Sequence, residues 1–218
     1  MVTETQLKIL DLIYQGNKEI RQITKEMGMS RNAIHYQIRR LEEQELIQKK
    51  TLIKVGSVQV GGVDLNPLFL HEIRKLLGIP EKDYTLITGC TWNPNHPDDR
   101  TLDLPEIGKK LLEESKFHVT KTTCFITPPA RERRVDKKYP PLDYHEFGYA
   151  SFQSFDLREQ ILRVLKEDLK EQDVILDMTP LTKVFSIILL DIAHQYNLPI
   201  FYTVRTKDGY RLEWYRKP

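Results

Sequence analysis

The sequence predicts an α/β protein in two parts: a small, mostly helical amino-terminal module closed by a hairpin, then a larger domain on a mainly parallel sheet. Three observations carry this. Leu7, Leu10 and Ile13, then Ile20, Ile23 and Met27, then Ile34, Ile38 and Leu41 make three apolar stripes at helical spacing. From Tyr84 onward, apolar runs of strand length alternate with amphipathic stretches, the pattern of parallel strands joined by helices. Near the end, Asp208-Gly209 is a hairpin signal, with RLEWY as the returning antiparallel strand.

In the first part, Gly16-Asn17 ends helix one and Gly28 ends helix two. Ser30 caps helix three. The short link Gly28-Met29-Ser30 has the character of a helix-turn-helix. With Ile34, Ile38 and Leu41 facing inward, Asn32, Tyr36 and Arg39 lie on the opposite face, flanked by His35 and Arg40, with Arg31 near the helix start. These side chains can donate to base edges and phosphates from a helix lying in the major groove. Glu42, Glu43 and Glu45 confine such contacts to the first half of the helix. LIQKKTLIKVGSVQVGG then reads as two strands around a turn, with Lys49, Lys50 and Lys54 suited to a phosphate backbone. Over Val2 to Gly62, and most specifically in IRQITKEMGMSRNAIHYQIRRLEEQELI, the chain resembles winged helix-turn-helix domains of archaeal and bacterial transcription regulators. That resemblance implies a double-stranded DNA partner; the rival reading is a three-helix module for protein contacts.

Composition narrows the classes. The chain has 218 residues, enough for a domain of ordinary size plus a small one. Its net charge of +2 is nearly neutral, so a nucleic-acid contact must come from a local patch. Cys90 and Cys124 form no CxxC pair and suggest a reducing compartment. The six histidines show no metal-ligand spacing with them, so neither a metal nor a cofactor is expected. The start, MVTETQLKIL, lacks a signal peptide's apolar core, and Val184 to Ala193 is too short to span a bilayer, so a cytoplasmic location is expected.

Residues 63–81 read as a linker with a short helix in NPLFLHEIRKLLGIP, Leu70, Ile73 and Leu77 on one side and Gly78 and Pro80 ending it. It either connects the domains or packs against a second copy; His71 reads as a surface or packing residue. The second domain, 82–218, opens with the strand YTLITG and a loop from Cys90 to Asp103. PEIGKKLLEESKF is a helix capped by Asp103, and HVTKTTCFI the next strand. Thr127 to Ser154 reads as a long loop with a basic cluster at Arg131, Arg133, Arg134, Lys137 and Lys138. It is either a solvated insertion or a contact for an anionic ligand or nucleic acid. Asp156 with Glu159 suggests a capping box opening a helix through Leu157, Ile161 and Leu165. Val174 to Leu176 is a central strand and Ile200 to Val204 another.

Between those two strands lies DMTPLTK. Thr179 followed by Pro180 reads as a helix cap and first helical position. Thr182 and Lys183 add a hydroxyl and a cation where free helix amides point toward the strand ends, which is how a helix start holds phosphate. The alternative is a cap and a solvated lysine. Asp177 would repel a phosphate and instead organises the loop.

A strand ending in Asp, then Thr, two small residues, Thr and Lys opening a helix is the motif of CRISPR-associated Rossmann-fold (CARF) domains, which this segment resembles. Asp177, Thr179, Thr182 and Lys183 match it; Pro180 and Leu181 stand where that family often has paired glycines. The resemblance runs in outline from about Lys82 to Pro218. It implies a C-terminal Rossmann-like, CARF-type mainly parallel α/β domain whose loop faces a cyclic oligoadenylate across a homodimer. It also implies a second pocket wall after the first strand: Thr88, Gly89, Thr91, Trp92 and Asn93. Trp92 either stacks on an adenine or packs. The function so implied is a CRISPR-associated, ligand-responsive transcription regulator in antiviral defense. Two alternatives stand beside it: a ring nuclease that cleaves its own cyclic oligoadenylate, Lys183 stabilising the developing charge with Thr91 or Thr182 positioning the phosphate, and a regulator whose Rossmann-like domain only dimerises or binds another metabolite.

Overall fold

The structure is a computed structural model. It describes residues 2–55, 58–80, 83–92, 95, 101–147, 154–179 and 182–218. The chain divides into two compact units, Met1–Pro80 and Glu81–Pro218.

In the first unit, α1 (Glu4–Tyr14), α2 (Ile20–Met27) and α3 (Arg31–Glu43) precede the antiparallel pair β1 (Ile47–Val55) and β2 (Val58–Leu65). Thr3 and Gln6 close α1 with a reciprocal capping box. Its inward face is set by Ile9, Leu10 and Ile13, with Leu7 only half-buried. Gly28 ends α2 at φ 60, a left-handed conformation that a Cβ would disfavour. That bend lets Ser30 start α3 at once, its hydroxyl accepting from the Ala33 amide. Ile34, Ile38 and Leu41 are fully buried, packed with Ile9, Leu10, Ile13 and Ile23. The hairpin closes this core with Ile47, Val63 and Leu65. Its second strand is anchored to the α1–α2 link by the Val63 amide donating to the Lys18 carbonyl at 2.8 Å. A single 3-10 turn (Pro67–Phe69) leads into α4 (Leu70–Leu76), whose Leu70 and Ile73 complete the same core.

The second unit is a six-stranded sheet in the order β5-β4-β3-β6-β7-β8. Its strands are β3 (Tyr84–Cys90), β4 (Val119–Ile126), β5 (Asp143–Glu146), β6 (Asp173–Asp177), β7 (Ile200–Thr206) and β8 (Gly209–Arg216). The first five run parallel and β8 returns antiparallel. The chain builds outward from β3 to β5, then recrosses to place β6 on the other side of β3. The order therefore reverses between β3 and β6, which defines a crevice at their carboxyl ends. Linking these strands are α5 (Leu104–Glu114), α6 (Pro128–Asp136), α7 (Ser154–Glu171) and α8 (Lys183–Gln195). Leu112 of α5 packs on Leu86, Ile175 and Phe201 on one face of the sheet.

Several sequence expectations shift. Residues 127–154 are not one loop: Pro128 and Pro129 occupy the first turn of α6, where missing amides cost nothing, and 143–146 form edge strand β5. Asp103 makes no side-chain cap; its carboxylate accepts from the Tyr139 hydroxyl. Asp156 is not a cap, because α7 already begins at Ser154 and Asp156 lies in its first turn. The β7–β8 turn is centred on Lys207 and Asp208, with Gly209 opening β8.

Candidate functional site

The first candidate surface is the outer face of α3. Arg31, Asn32, Tyr36, Arg39 and Arg40 are exposed there and His35 is half-buried. Arg31 Nε donates to His35 Nε2 at 3.3 Å, one turn on. Arg39 Nε donates to Glu43 at 3.1 Å and Arg40 to the same carboxylate at 3.3 Å. Lys49 and Lys50, exposed on β1, are ion-paired to Glu42 and to Asp64. Ser30 spends its hydroxyl on the cap. The side chains predicted for DNA thus share one face, with acidic residues crowding its carboxyl-terminal half.

The second is the crevice between β3 and β6. Asp177, the last residue of β6, is completely buried. Its Oδ2 accepts from Thr88 Oγ1 of β3 at 3.0 Å. Its Oδ1 accepts from the Thr179 amide at 2.9 Å and from the Thr179 hydroxyl at 2.6 Å. Burial pushes the Asp177 carboxyl up to about 6, and the bonds from Thr179 and Thr88 only partly offset it. Gly108 of α5 covers this carboxylate; a Cβ there would stand 3.1 Å from Asp177 Oδ2.

Thr179 cannot start the next helix. Its hydroxyl donates to Asp177 and accepts from the Thr203 amide at 2.6 Å, so it binds the loop down onto β7. Thr182 is the cap instead, accepting from the Phe185 amide at 3.5 Å, and α8 begins at Lys183. This corrects the expected start at Pro180 by three residues. With Phe185 satisfied by the cap, the amides of Lys183 and Val184 have no intrahelical acceptor. Ser186 Oγ donates to the Met178 carbonyl at 3.0 Å, tying the first turn of α8 to the end of β6. Lys183 itself is exposed. Pro180, Leu181 and Asn93 lie outside the described residues.

On the β3 side, Thr88 and Gly89 are buried within the strand. Thr91 follows, its carbonyl accepting from Thr101 Oγ1 at 2.7 Å. Trp92 is half-buried, packed beside Cys90, Leu102, Cys124, Ile126 and Ala130. The Arg133 guanidinium stands 5.4 Å from its ring centre. Periodicity does not reveal this neighbour, because α6 buries only Ala130 and Arg134 and carries no apolar stripe. Arg134, from the same expected basic cluster, is 1% exposed and serves the interior. It donates to Tyr144, to both oxygens of Glu106 and to the carbonyls of Leu102 and Pro140. Burial opposes its charge, yet Glu106 and Tyr144 outweigh that and hold its pKa above the ordinary value. Among the described residues no three His, Cys, Asp or Glu converge as metal ligands, and no helix is long and apolar enough to cross a membrane.

Residues 3–49 match the family described as bacterial regulatory protein, arsR family, a span covering α1 to α3 and the first residues of β1. No curated protein matches the chain. Among solved structures, Can2 from Sulfobacillus thermosulfidooxidans, in complex with cyclic tetra-adenylate, is 17% identical with a TM-score of 0.39. The overlap covers 59% of this chain and 34% of that one. Csm6 from Enterococcus italicus, bound to cyclic hexa-2′-fluoro-hexa-dAMP, is 7% identical with a TM-score of 0.39 over 59% of this chain and 36% of that one. The chain therefore spans about a third of the length of either protein.

Proposed function

We propose that this chain is a ligand-responsive DNA-binding transcription regulator, working in a CRISPR-associated setting, whose second unit senses a cyclic oligoadenylate as a homodimer. The observation that carries the ligand half is the bolt across the crevice. Asp177 joins Thr88 of β3 to Thr179 of the β6–α8 loop, and Ser186 ties α8 to the same point. Beside the anchored Thr179, the start of α8 offers two amides, the positive end of its dipole and the Lys183 ammonium. Those are donors for a phosphodiester. A ring with an even number of adenosines has two-fold symmetry, and two copies of this loop about a dimer axis match it. Asp177 does not act on the ligand in this reading; buried beneath α5 and bonded three times, it sets the loop's shape.

The first unit supplies the output. The exposed donors of α3 suit a major groove, and in a dimer two such helices would read half-sites about one helical turn apart, ~34 Å. Ligand alters DNA affinity only by binding the two arrangements of the dimer unequally. α4, at the end of the first unit, is the proposed coupling element.

Isothermal titration calorimetry against cyclic tetra-adenylate and cyclic hexa-adenylate tests the ligand. One ring should bind per two chains, and Lys183→Ala should weaken binding about tenfold, as loss of a charge-assisted contact does. Heat identical in wild type and Lys183→Ala removes the assigned pocket; no heat with either ring removes the ligand.

A further inference from the structure

Among the described residues, five cations on or beside the candidate DNA face are already engaged with carboxylates. Arg39 and Arg40 share Glu43 at 3.1 and 3.3 Å. Lys49 is paired with Glu42. Lys18 and Lys50 share Asp64 at 2.9 and 3.9 Å. These five cations surround three carboxylates, all on α3, the β1–β2 hairpin or the α1–α2 link that the hairpin packs on. At the other end of α3 the arrangement differs: Arg31 is bonded to His35, and Asn32 and Tyr36 are exposed beside them. That end also carries the positive end of the helix dipole.

We infer that Glu42, Glu43 and Asp64 hold down the sequence-independent DNA affinity of this unit, so that base recognition falls to Arg31, Asn32, His35 and Tyr36 in the first turns of α3. The inference rests on the DNA-binding reading. A phosphate approaching Arg39 or Arg40 meets Glu43 in the same place. Either the arginine leaves its carboxylate, or the carboxylate stays and repels the phosphate. Both routes reduce what the contact contributes. A cation neutralised by its own chain also displaces fewer of the counterions condensed on the DNA, so binding depends less on salt than the number of basic residues implies. Phosphate contacts carry no sequence information. Restraining them lowers residence on arbitrary DNA while leaving the groove-reading end of α3 at full strength.

The test needs no operator. Fluorescence anisotropy with the full chain and a random-sequence duplex of about 30 base pairs, between about 50 and 200 mM salt, gives affinity and salt slope together. Glu43→Gln, an exposed and nearly isosteric change checked for folding by circular dichroism, should bind about threefold or more tightly. Its log K against log salt should be steeper by about 0.9 for each arginine released. Arg39→Ala and Arg40→Ala added to Glu43→Gln should return both values to the wild-type level. Wild-type binding with an unchanged Glu43→Gln overturns the inference alone. A gain that survives removal of both arginines also overturns it, since the effect would then be net charge at a distance. No binding by any of these proteins at the lowest salt overturns the DNA-binding reading and the inference with it.

Discussion

Asp177 is a carboxylate sealed in the sheet that accepts from three neutral donors. Such a group is held by hydrogen bonds that only the folded loop provides, and it resists ionisation because water is excluded. The folded state keeps its proton up to about pH 6, whereas the ordinary value is 3.8. Between those limits the folded protein binds more protons than the unfolded chain, so raising the pH from about 4 to about 6 withdraws stability, by about 3 kcal/mol in all. Above that window the group has no further effect. Asp177→Asn cannot ionise, so the stability difference between wild type and variant in urea denaturation should change by about this amount across the window. Parallel curves would show that Asp177 is not the group responsible. That Asp177 organises a loop was legible from its place in DMTPLTK. Its partner Thr88, 89 residues earlier in the chain, was not, because only the β3–β6 crossover brings them together.

Elements with strong periodicity were legible and weakly patterned ones were not. α1 to α3 carry apolar stripes and sharp end signals, so their limits follow from the sequence almost to the residue. α6 has only Ala130 and Arg134 buried and opens with two prolines, and β5 is a four-residue edge strand of mixed polarity. Neither offers a run of apolar residues to read. The same blindness hid Arg134, which looks like one more cation of a surface cluster but joins α5, α6 and β5 through five contacts. Arg134→Met would leave Glu106 without its cation and two carbonyls without donors. We expect a loss of about 3 kcal/mol in chemical denaturation, the scale for breaking a largely buried pair. Arg134→Lys should recover less than half, since one ammonium cannot span acceptors placed for a planar fork. A loss below about 0.5 kcal/mol would place the guanidinium among ordinary surface pairs. The start of α8 teaches the complementary point. Thr-Pro is a sound helix signal, overridden here because the Thr179 hydroxyl finds Asp177 and Thr203 instead.

At the scale of the molecule, each unit has its own core, and Leu70 and Ile73, from the stretch expected as a linker, belong to the first. Both cysteines of the chain fall in the second unit, fully buried on β3 and β4. Burial pushes the Cys90 thiol up to about 12 and holds Cys124 well above its ordinary value. Only the thiolate attacks a thiol reagent, so in the closed protein both sulfurs are shielded twice, by access and by protonation. Their reaction with an aromatic disulfide should follow the opening of the strand ends, while the first unit, lacking cysteine, contributes no signal. Cys90 is the last residue before Thr91 and Trp92, so a ligand that settles on the β3–β6 crevice should slow its labelling in proportion to occupancy. A rate indifferent to cyclic tetra-adenylate at concentrations where calorimetry finds binding would place that ligand elsewhere. The chain thus contains its own reporter thiol at the mouth of the crevice, readable without introducing a new cysteine.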